Sequence, residues 1–459
     1  MKNIPTLCSL LLLTSCNLTP QLNDINQEIP KAWEESVKKK NEKQNFWNKF
    51  GDEKLNYLIS EALKNNSDTL IAYQNIIKAQ SMVQSSTAGL LPTIAFSGNV
   101  EKGKFNSNTS GIPSYNNSAG LGLTFDLDLF GKLRNQKKSA QAKLFATEFA
   151  AKTIQLNVIS QVSAIYFNIL ATNESLSIKT RLLANESEVV DLLEDMVKNN
   201  VLDKSEVNKE RANLNSIKKD IILLNKSIDE QNRALAVLLG KSPKTISNNV
   251  VVEGEGGFDN IKILDLMELP LPSSILENRP DIMLAKNNLI ASNYDIGAAK
   301  ALYFPDISLT SMLGFSNSAL NSLFNVDKSG AWDANLVVTL PIIDFGKTRS
   351  VVKSAKAQKE IALINYQQIV RIAFKEVLDA IKGQEKLYET YMVSKDNYKG
   401  LTSYSDTYLL RYKVGQQTYL DYLRANQLKL QSKLELTASK NSLVNVQIET
   451  FKALGGIIN

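Results

Sequence analysis

The sequence predicts an α+β membrane protein in which each chain supplies four strands to a trimeric 12-stranded β-barrel that continues into a long 12-helix α-barrel. Three observations point there. The first is an internal tandem duplication. Sliding residues 65–94 forward by 213 puts Asp68 on Asp281, Ala72 on Ala285, Ala88 on Ala301 and Pro92 on Pro305. Further on, Phe130-Gly131-Lys132 falls on Phe345-Gly346-Lys347 and Leu239-Gly240 on Leu454-Gly455, both at an offset of 215. The second is a pair of alternating segments in each copy. The third is a helical stretch, Lys132 to Leu239, with neither glycine nor proline across 108 residues. One helix–strand–strand–helix–helix unit is thus written twice.

In order along the chain, residues 1–15 read as a secretory signal. Lys2 is a lone positive charge, an apolar stretch runs through Leu13, and small residues precede Cys16. Leu13-Thr14-Ser15-Cys16 resembles a bacterial lipobox, which implies acylation of Cys16 as the mature N-terminus. Asn17 in place of an aspartate implies sorting to the outer membrane. Cys8 falls within the removed segment, so the mature chain keeps one cysteine and no disulfide. Residues 16–45 form a polar tether. No later segment approaches 18 apolar residues, so a membrane crossing has to be a barrel.

A helical region is expected from about Glu53 to Gly89, with Leu55, Leu58, Ile59 and Leu63 at helical spacing. Pro92 and Pro305 stop the helix of each copy, because proline has no N–H to donate and biases its predecessor away from helix. Ile94, Phe96, Gly98 and Val100, then Leu121, Leu123, Phe125 and Leu127, alternate with small or polar residues. The second copy repeats this with Ile307, Leu309, Ser311 and Leu313, then Trp332, Ala334, Leu336, Val338 and Leu340. The hairpins span about 92–130 and 305–345. Gly131 and Gly346 supply the bends back into helix. Ile154, Val158, Ile165, Ile169, Leu176 and Leu183 recur at four and seven, as do Val370, Phe374, Val377, Ile381 and Tyr388 with one step of three, a coiled-coil-like periodicity. Breaks at Asn199-Asn200 and Val414-Gly415 split each region into two antiparallel helices, the longer reaching roughly 100 Å. The first repeat is therefore 46–240, the connector 241–275 and the second repeat 276–459. Pro280-Asp281 suits a helix start.

Four strands cannot close a barrel, and open edges are not tolerated in lipid, so strands must come from other copies. Three copies give twelve, an even number known for such barrels. Composition excludes other classes. The chain has 53 basic and 47 acidic residues, net +6, without a basic stripe interleaved with aromatics, which argues against nucleic acid. It has no histidine, removing the commonest general base and metal ligand. No nucleophile–base pair or metal cluster can be placed, so neither an enzyme nor a cofactor is expected.

The segments FWNKFGDEKLNYLISEALKNN, AGLLPTI, DLDLFGKLR, LPSSILENRPDI, AAKALYFPDISL, IIDFGKTR and RYKVGQQTYLDYLRANQL together resemble the TolC-like outer membrane efflux factors. The closer likeness is to the lipoprotein branch that partners resistance-nodulation-division pumps, over roughly residues 45–456. The resemblance implies a homotrimer that is a passive duct. A periplasmic adaptor protein and an inner-membrane transporter dock at its far end. It further implies a gate at the hairpin tips. Asp421 would line the constriction as a ring of carboxylates that attracts cations. Arg424 stands where the family can carry a second acid. Ser205 and Glu206 match positions that bond across to the second tip, Tyr412 is the expected partner of Glu206, and Gln417 replaces the family's arginine. A solvated helix-turn surface is the other reading of these residues. Lys132, Lys347, Arg134 and Arg349 either neutralise nearby carboxylates or form a solvated face, the latter being favoured. Besides an exit duct for small toxic compounds, two functions stay open: the exit duct of a type I protein secretion system, and a structural coiled-coil lipoprotein.

Overall fold

The computed structural model describes residues 18–21, 50–103, 114–247, 257–264 and 279–456. The expected signal, Cys16 and most of the tether and connector lie outside them. Two compact units share the chain. One holds residues 1–27, 74–149 and 283–368; the other holds 28–73, 150–282 and 369–459.

The first unit is built on one antiparallel sheet, β1 (Thr93–Gly103), β2 (Ser114–Asp126), β3 (Asp306–Asn317) and β4 (Gly330–Thr339), in that spatial order. The sequence predicts two hairpins. The structure joins them, because β2 pairs with β3 from Asn117↔Asn317 to Asp126↔Ser308. Residues paired across an antiparallel ladder point to the same face, so register assigns the faces. Phe96, Leu121, Leu313 and Trp332 form one row across all four strands. They are 72, 52, 68 and 79% exposed, far more apolar surface than one sheet can leave in water. Ile94, Val100, Leu336 and Val338 extend the same face and are also exposed. The opposite face carries rows such as Thr93, Thr124, Thr310 and Asn335, or Ser97, Gly120, Gly314 and Ala331. Apolar on one side and polar or small on the other is the pattern of a strand between lipid and an aqueous lumen.

Gly120 and Gly314 face each other so closely that a Cβ on Gly314 would sit 2.3 Å from the Ala119 carbonyl oxygen and 2.4 Å from the Gly120 Cα. Gly314→Val is therefore expected to destabilise the sheet by at least about 1–3 kcal/mol, visible as a lowered unfolding midpoint by circular dichroism in detergent. An unchanged midpoint would show that the seam can splay.

Among the described residues there are seven helices of thirteen residues or more: α1 (Glu53–Asn65), α2 (Ser67–Ala88), α3 (Lys132–Lys198), α4 (Lys204–Leu238), α5 (Pro280–Ala301), α6 (Lys347–Lys413) and α7 (Tyr419–Ala453). The copies match in length: α3 and α6 have 67 residues each, α4 and α7 have 35, and α2 and α5 have 22. The single helical region expected over 53–89 is two helices. Asn66 interrupts it by accepting from the N–H groups of Asp68 and Thr69, and its amide donates to the Leu238 carbonyl at 3.0 Å. Pro92 and Pro305 stand immediately before β1 and β3, and Gly131 and Gly346, at φ +76° and +87°, immediately before α3 and α6. Carboxylates complete those bends. Asp128 accepts from the N–H groups of Leu133 and Arg134, and Asp344 from those of Gly346 and Thr348. The Thr348 hydroxyl and these N–H groups hold the Asp344 carboxyl below its ordinary range.

Lys132 and Arg134, favoured above as a solvated face, are ion-paired. Lys132 meets Asp306 at 2.8 Å and Arg134 meets Asp128 at 3.0 Å. Residues 18–21 lie against the same unit: the Thr19 hydroxyl donates to Asn135 at 2.6 Å, and the Pro20 carbonyl accepts from Asn293 at 2.8 Å.

The second unit is a helical body. Its largest core joins Leu55, Leu58 and Ile59 of α1, Val158, Ile159, Val162, Tyr166, Phe167, Ile169 and Leu170 of α3, Leu235 of α4, and Val444, Ile448 and Phe451 of α7. Within α3 these positions, spaced by one to four residues, fall on one face of the helix. Contrary to the expectation that no later segment is apolar enough, α3 holds an 18-residue window apolar enough to cross a membrane, but most of that window is buried inside the protein. The Tyr166 hydroxyl donates to Asp52 at 2.6 Å, whose other oxygen caps α1 through Leu55 N–H. Two smaller layers follow, Ile178, Leu182, Ile217 and Leu430, then Val189, Leu193, Val207 and Leu423.

The described part of the connector is strapped to α7 by side chains seven residues apart. Lys433 pairs with Asp259 at 2.6 Å, buried Lys440 donates to the carbonyls of Phe258 and Asp259 at 2.8 Å each, and Gln447 bonds both backbone groups of Leu264. Burial draws the Lys440 ammonium down to about 8.

Candidate functional site at the hairpin tips

Both hairpins of the helical unit turn the same way. At the first tip Asn200 N–H donates to Val197 O and Val201 N–H to Met196 O. At the second, Gly415 N–H donates to Tyr412 O and Gln416 N–H to Arg411 O. Each is a Schellman ending, with Asn200 and Gly415 at φ +56° and +75°. The following helix is capped by Asp203 at one tip and Thr418 at the other. Ser205 and Glu206 thus lie in the first turn of α4, and Asp421 in the first turn of α7. Hydrogen bonds from Ser205 hold the Asp203 carboxyl below its ordinary range.

Asp421 closes a capping box: its Oδ2 accepts from the Thr418 hydroxyl at 2.7 Å and the Thr418 N–H at 3.2 Å. Its first duty is to the helix end, and the half-buried carboxylate keeps the rest of its capacity free. Ser205 N–H donates to Asp203 at 2.7 Å, and Glu206 lies 3.9 Å from Lys209. Gln417 is partly exposed in the turn before Thr418, and Arg424 is exposed one turn into α7.

The phenol–carboxylate bond expected between Tyr412 and Glu206 is made by a different pair. Tyr419 donates to Glu188 of α3, which pushes the Tyr419 phenol up to about 12, and the Tyr412 ring packs tilted against the Tyr419 ring at 5.0 Å. Tyr422 packs tilted against Tyr419 at 5.8 Å, and Tyr404 and Tyr408 meet at 4.5 Å. Tyr404, Tyr408 and Tyr412 are four apart, a spacing that places them on one helix face and could have been read beforehand.

Beneath the tips lies a polar layer. Glu186 of α3 is 1% exposed; its Oε2 accepts from Gln427 of α7 at 3.2 Å, and among the described residues its Oε1 has no hydrogen-bond partner. Burial pushes its carboxyl up to about 7. Glu210 of α4 adds to the rise, and Asn213 and Arg424 oppose it. Next to it Asn185 donates to the Leu423 carbonyl at 3.0 Å and accepts from Asn426 at 2.8 Å. The tips are therefore tied by polar bonds between α3 and α7 as well as by the apolar layer around Val189, Leu193, Val207 and Leu423.

A sheet apolar on one face and polar on the other, with two long helix hairpins in the same chain, defines an outer-membrane channel protein. Residues 58–241 and 271–456 match the family model described as outer membrane efflux protein, and the chain belongs to that family. It is similar to the cation efflux system protein CusC of Escherichia coli K12, at 29% identity over 98% of both chains. It is also similar to the toluene efflux pump outer membrane protein TtgI of Pseudomonas putida, at 30% identity over 89% of this chain and 86% of the relative. Its structure resembles the crystal structure of the Campylobacter jejuni CmeC outer membrane channel, with TM-score 0.84 and 27% identity over 96% and 95% of the two chains.

Proposed function

We propose that three copies close their sheets into a 12-stranded barrel continuing into a 12-helix barrel, and that this duct is the exit channel of a tripartite efflux system. The observation that carries this reading is the exposed apolar face of a sheet whose two edge strands have no partner among the described residues. A periplasmic adaptor and an inner-membrane transporter of the resistance-nodulation-division type deliver small toxic compounds to its periplasmic end; no bond is made or broken. Cys16, acylated after removal of residues 1–15, anchors the tether 16–45. The duct is built from the repeats 46–240 and 276–459, joined by the connector 241–275. Pro92, Pro305, Gly131 and Gly346 mark where strand and helix exchange.

The gate is the pair of tips, with Asp421 of each copy as the charged ring and Tyr412, Ser205, Glu206, Gln417 and Arg424 around it. Single-channel conductance in planar bilayers tests this with Asp421→Asn. The amide keeps an acceptor for the Thr418 cap, whose loss in an alanine variant would cost about 1 kcal/mol and confuse gating with folding. The expected result is a channel that still conducts but loses its preference for cations. Unchanged selectivity would move the constriction elsewhere, and folded protein without conductance in either form would count against the duct.

A further inference from the structure

At the end of the sheet away from the long helices, the chain folds back over one face. Residues 318–329 join β3 to β4 through a 3-10 turn at Leu320–Ser322 and a helical turn at Val326–Ser329, with Leu323 buried. Register decides which face they cover. Asn117 pairs with Asn317 and Ala119 with Phe315, an even number of residues along from Leu121 and Leu313, so all four belong to the apolar face. Asn117 is 1% exposed, and its amide donates to the carbonyls of Asn317 and Ser318 at 3.2 Å each. The Asn317 amide donates to the Ser329 hydroxyl at 2.7 Å, and its oxygen accepts from Ala319 N–H at 2.9 Å. The Ser329 hydroxyl donates in turn to the Ser322 carbonyl at 2.7 Å. Phe324 meets Phe315 edge to face, ring centroids 5.7 Å apart. The segment therefore leans on the apolar side of the sheet and not across the polar one.

This fold answers a problem of solvation. A strand rising about 3.4 Å per residue and tilted about 40° puts Asn117 roughly 25 Å above Leu127, the height of the apolar band of such barrels. Two asparagines on the outward face at that height carry amide groups that lipid cannot satisfy. Residues 318–329 supply their partners and offer apolar groups in their place. Leu320, Phe324 and Val326 are 59, 70 and 71% exposed. Through Phe315 they continue the exposed face of Leu313 and Trp332 past the polar row. The charges of Asp327 and Lys328 cancel, so what the segment presents is apolar surface.

We propose that residues 318–329 lie in the outer leaflet of the membrane, with Leu320, Phe324 and Val326 immersed where acyl chains meet headgroups, and that Asn117 and Asn317 hold them there. The partner of this surface is membrane lipid. The inference rests on the channel reading, which puts lipid against the apolar face, and adds a foot that sets how deep the barrel rides.

Fluorescence quenching in proteoliposomes tests it. The full chain carries one added cysteine labelled with an environment-sensitive dye, and the parent sets the background from Cys16. Phe324→Cys and Val326→Cys are expected to be quenched by phosphatidylcholine bearing a nitroxide near its headgroup. Aqueous iodide should quench them several-fold less than Ser316→Cys, which is exposed on the polar face. Leu313→Cys, on the apolar face of the sheet, reports on the barrel itself. Iodide quenching at 324 and 326, with lipid quenching kept at 313, would overturn the inference and leave the barrel standing. Silence of both quenchers at 324 and 326 would mean that another copy covers them, and would overturn it equally. Lipid quenching at none of these positions, 313 included, would overturn the channel reading and the inference with it. In the Phe324→Cys chain, adding Asn117→Ala should raise iodide quenching several-fold; an unchanged value would overturn the hold assigned to Asn117.

Discussion

Arg279→Met is expected to destabilise the helical unit by on the order of 3 kcal/mol, the range for breaking a buried ion pair from one side, shortened for the exposure of its partners. Arg279 is buried just ahead of α5. Its guanidinium donates to Asp281 at 2.7 Å, to Glu376 in the middle of α6 at 2.7 Å, and to the carbonyl of Ala453, the last residue of α7, at 2.9 Å. One side chain thus closes three chain segments that are distant in sequence. Methionine fills a similar volume but leaves two carboxylates side by side and a carbonyl without its donor. Arg279→Lys keeps the charge, yet a single ammonium cannot reproduce a planar fork aimed at three acceptors, and it should recover only part of the loss. The measurement is the unfolding midpoint in detergent, read by helix circular dichroism. A loss below about 1 kcal/mol for the methionine variant would mean that the cluster is held by packing and that the ion pairs are incidental.

Glu186→Gln should do the reverse, and only in one range of pH. The carboxyl of Glu186 is raised in the fold from 4.5 to about 7, chiefly by burial, so the fold disfavours its ionised form. Below pH 4.5 both folded and unfolded chains hold the proton and the residue costs nothing. As pH rises through 4.5 toward 7 the unfolded chain releases the proton first, stability is lost, and above about 7 the penalty is constant. Its ceiling is on the order of 3 kcal/mol per chain. Glutamine can still accept from Gln427 and carries no charge. Its variant should therefore melt above the parent at pH 8 and nearly with it at pH 4. If the gap is the same at both pH values, Glu186 acts through shape and not through charge. Because Glu210 and Arg424 face it from α4 and α7, Glu210→Gln should show a weaker form of the same dependence.

The sequence carried the elements well and their partners poorly. Proline at 92 and 305, glycine at 131 and 346, and alternation at period two are local signals, and the structure has strands and helix starts there. Residue spacing placed Leu121 and Leu313 on apolar faces, but it could not say that they lie opposite each other, because the β2–β3 seam joins residues about 190 apart. The same limit hid the tips. Tyr412 and Tyr419 are both tyrosines beside a turn, and only the path of α3 decides that Glu188 meets the second. Asn66 and Asp128 were invisible as caps because their meaning depends on which N–H groups the chain turns toward them. Glu186 reads in sequence as one more acid on a charged helix. Its burial comes from α4 and α7 closing over it, a property of the bundle and not of the residue.

The strap along α7 has a consequence for tolerance to mutation. Lys440 and Gln447 grip the connector by its carbonyls and an N–H, groups that every residue there except proline would present. Such a grip reads the path of the chain and ignores its spelling. Apart from the buried anchors Phe258 and Ile261, from Asp259, whose carboxylate pairs with Lys433, and from Gly257, held at φ +76°, residues 257–264 should accept wide substitution. The constraint has moved onto the holders, so a saturation scan should find its intolerant positions at 440 and 447, far along the chain from the segment they secure.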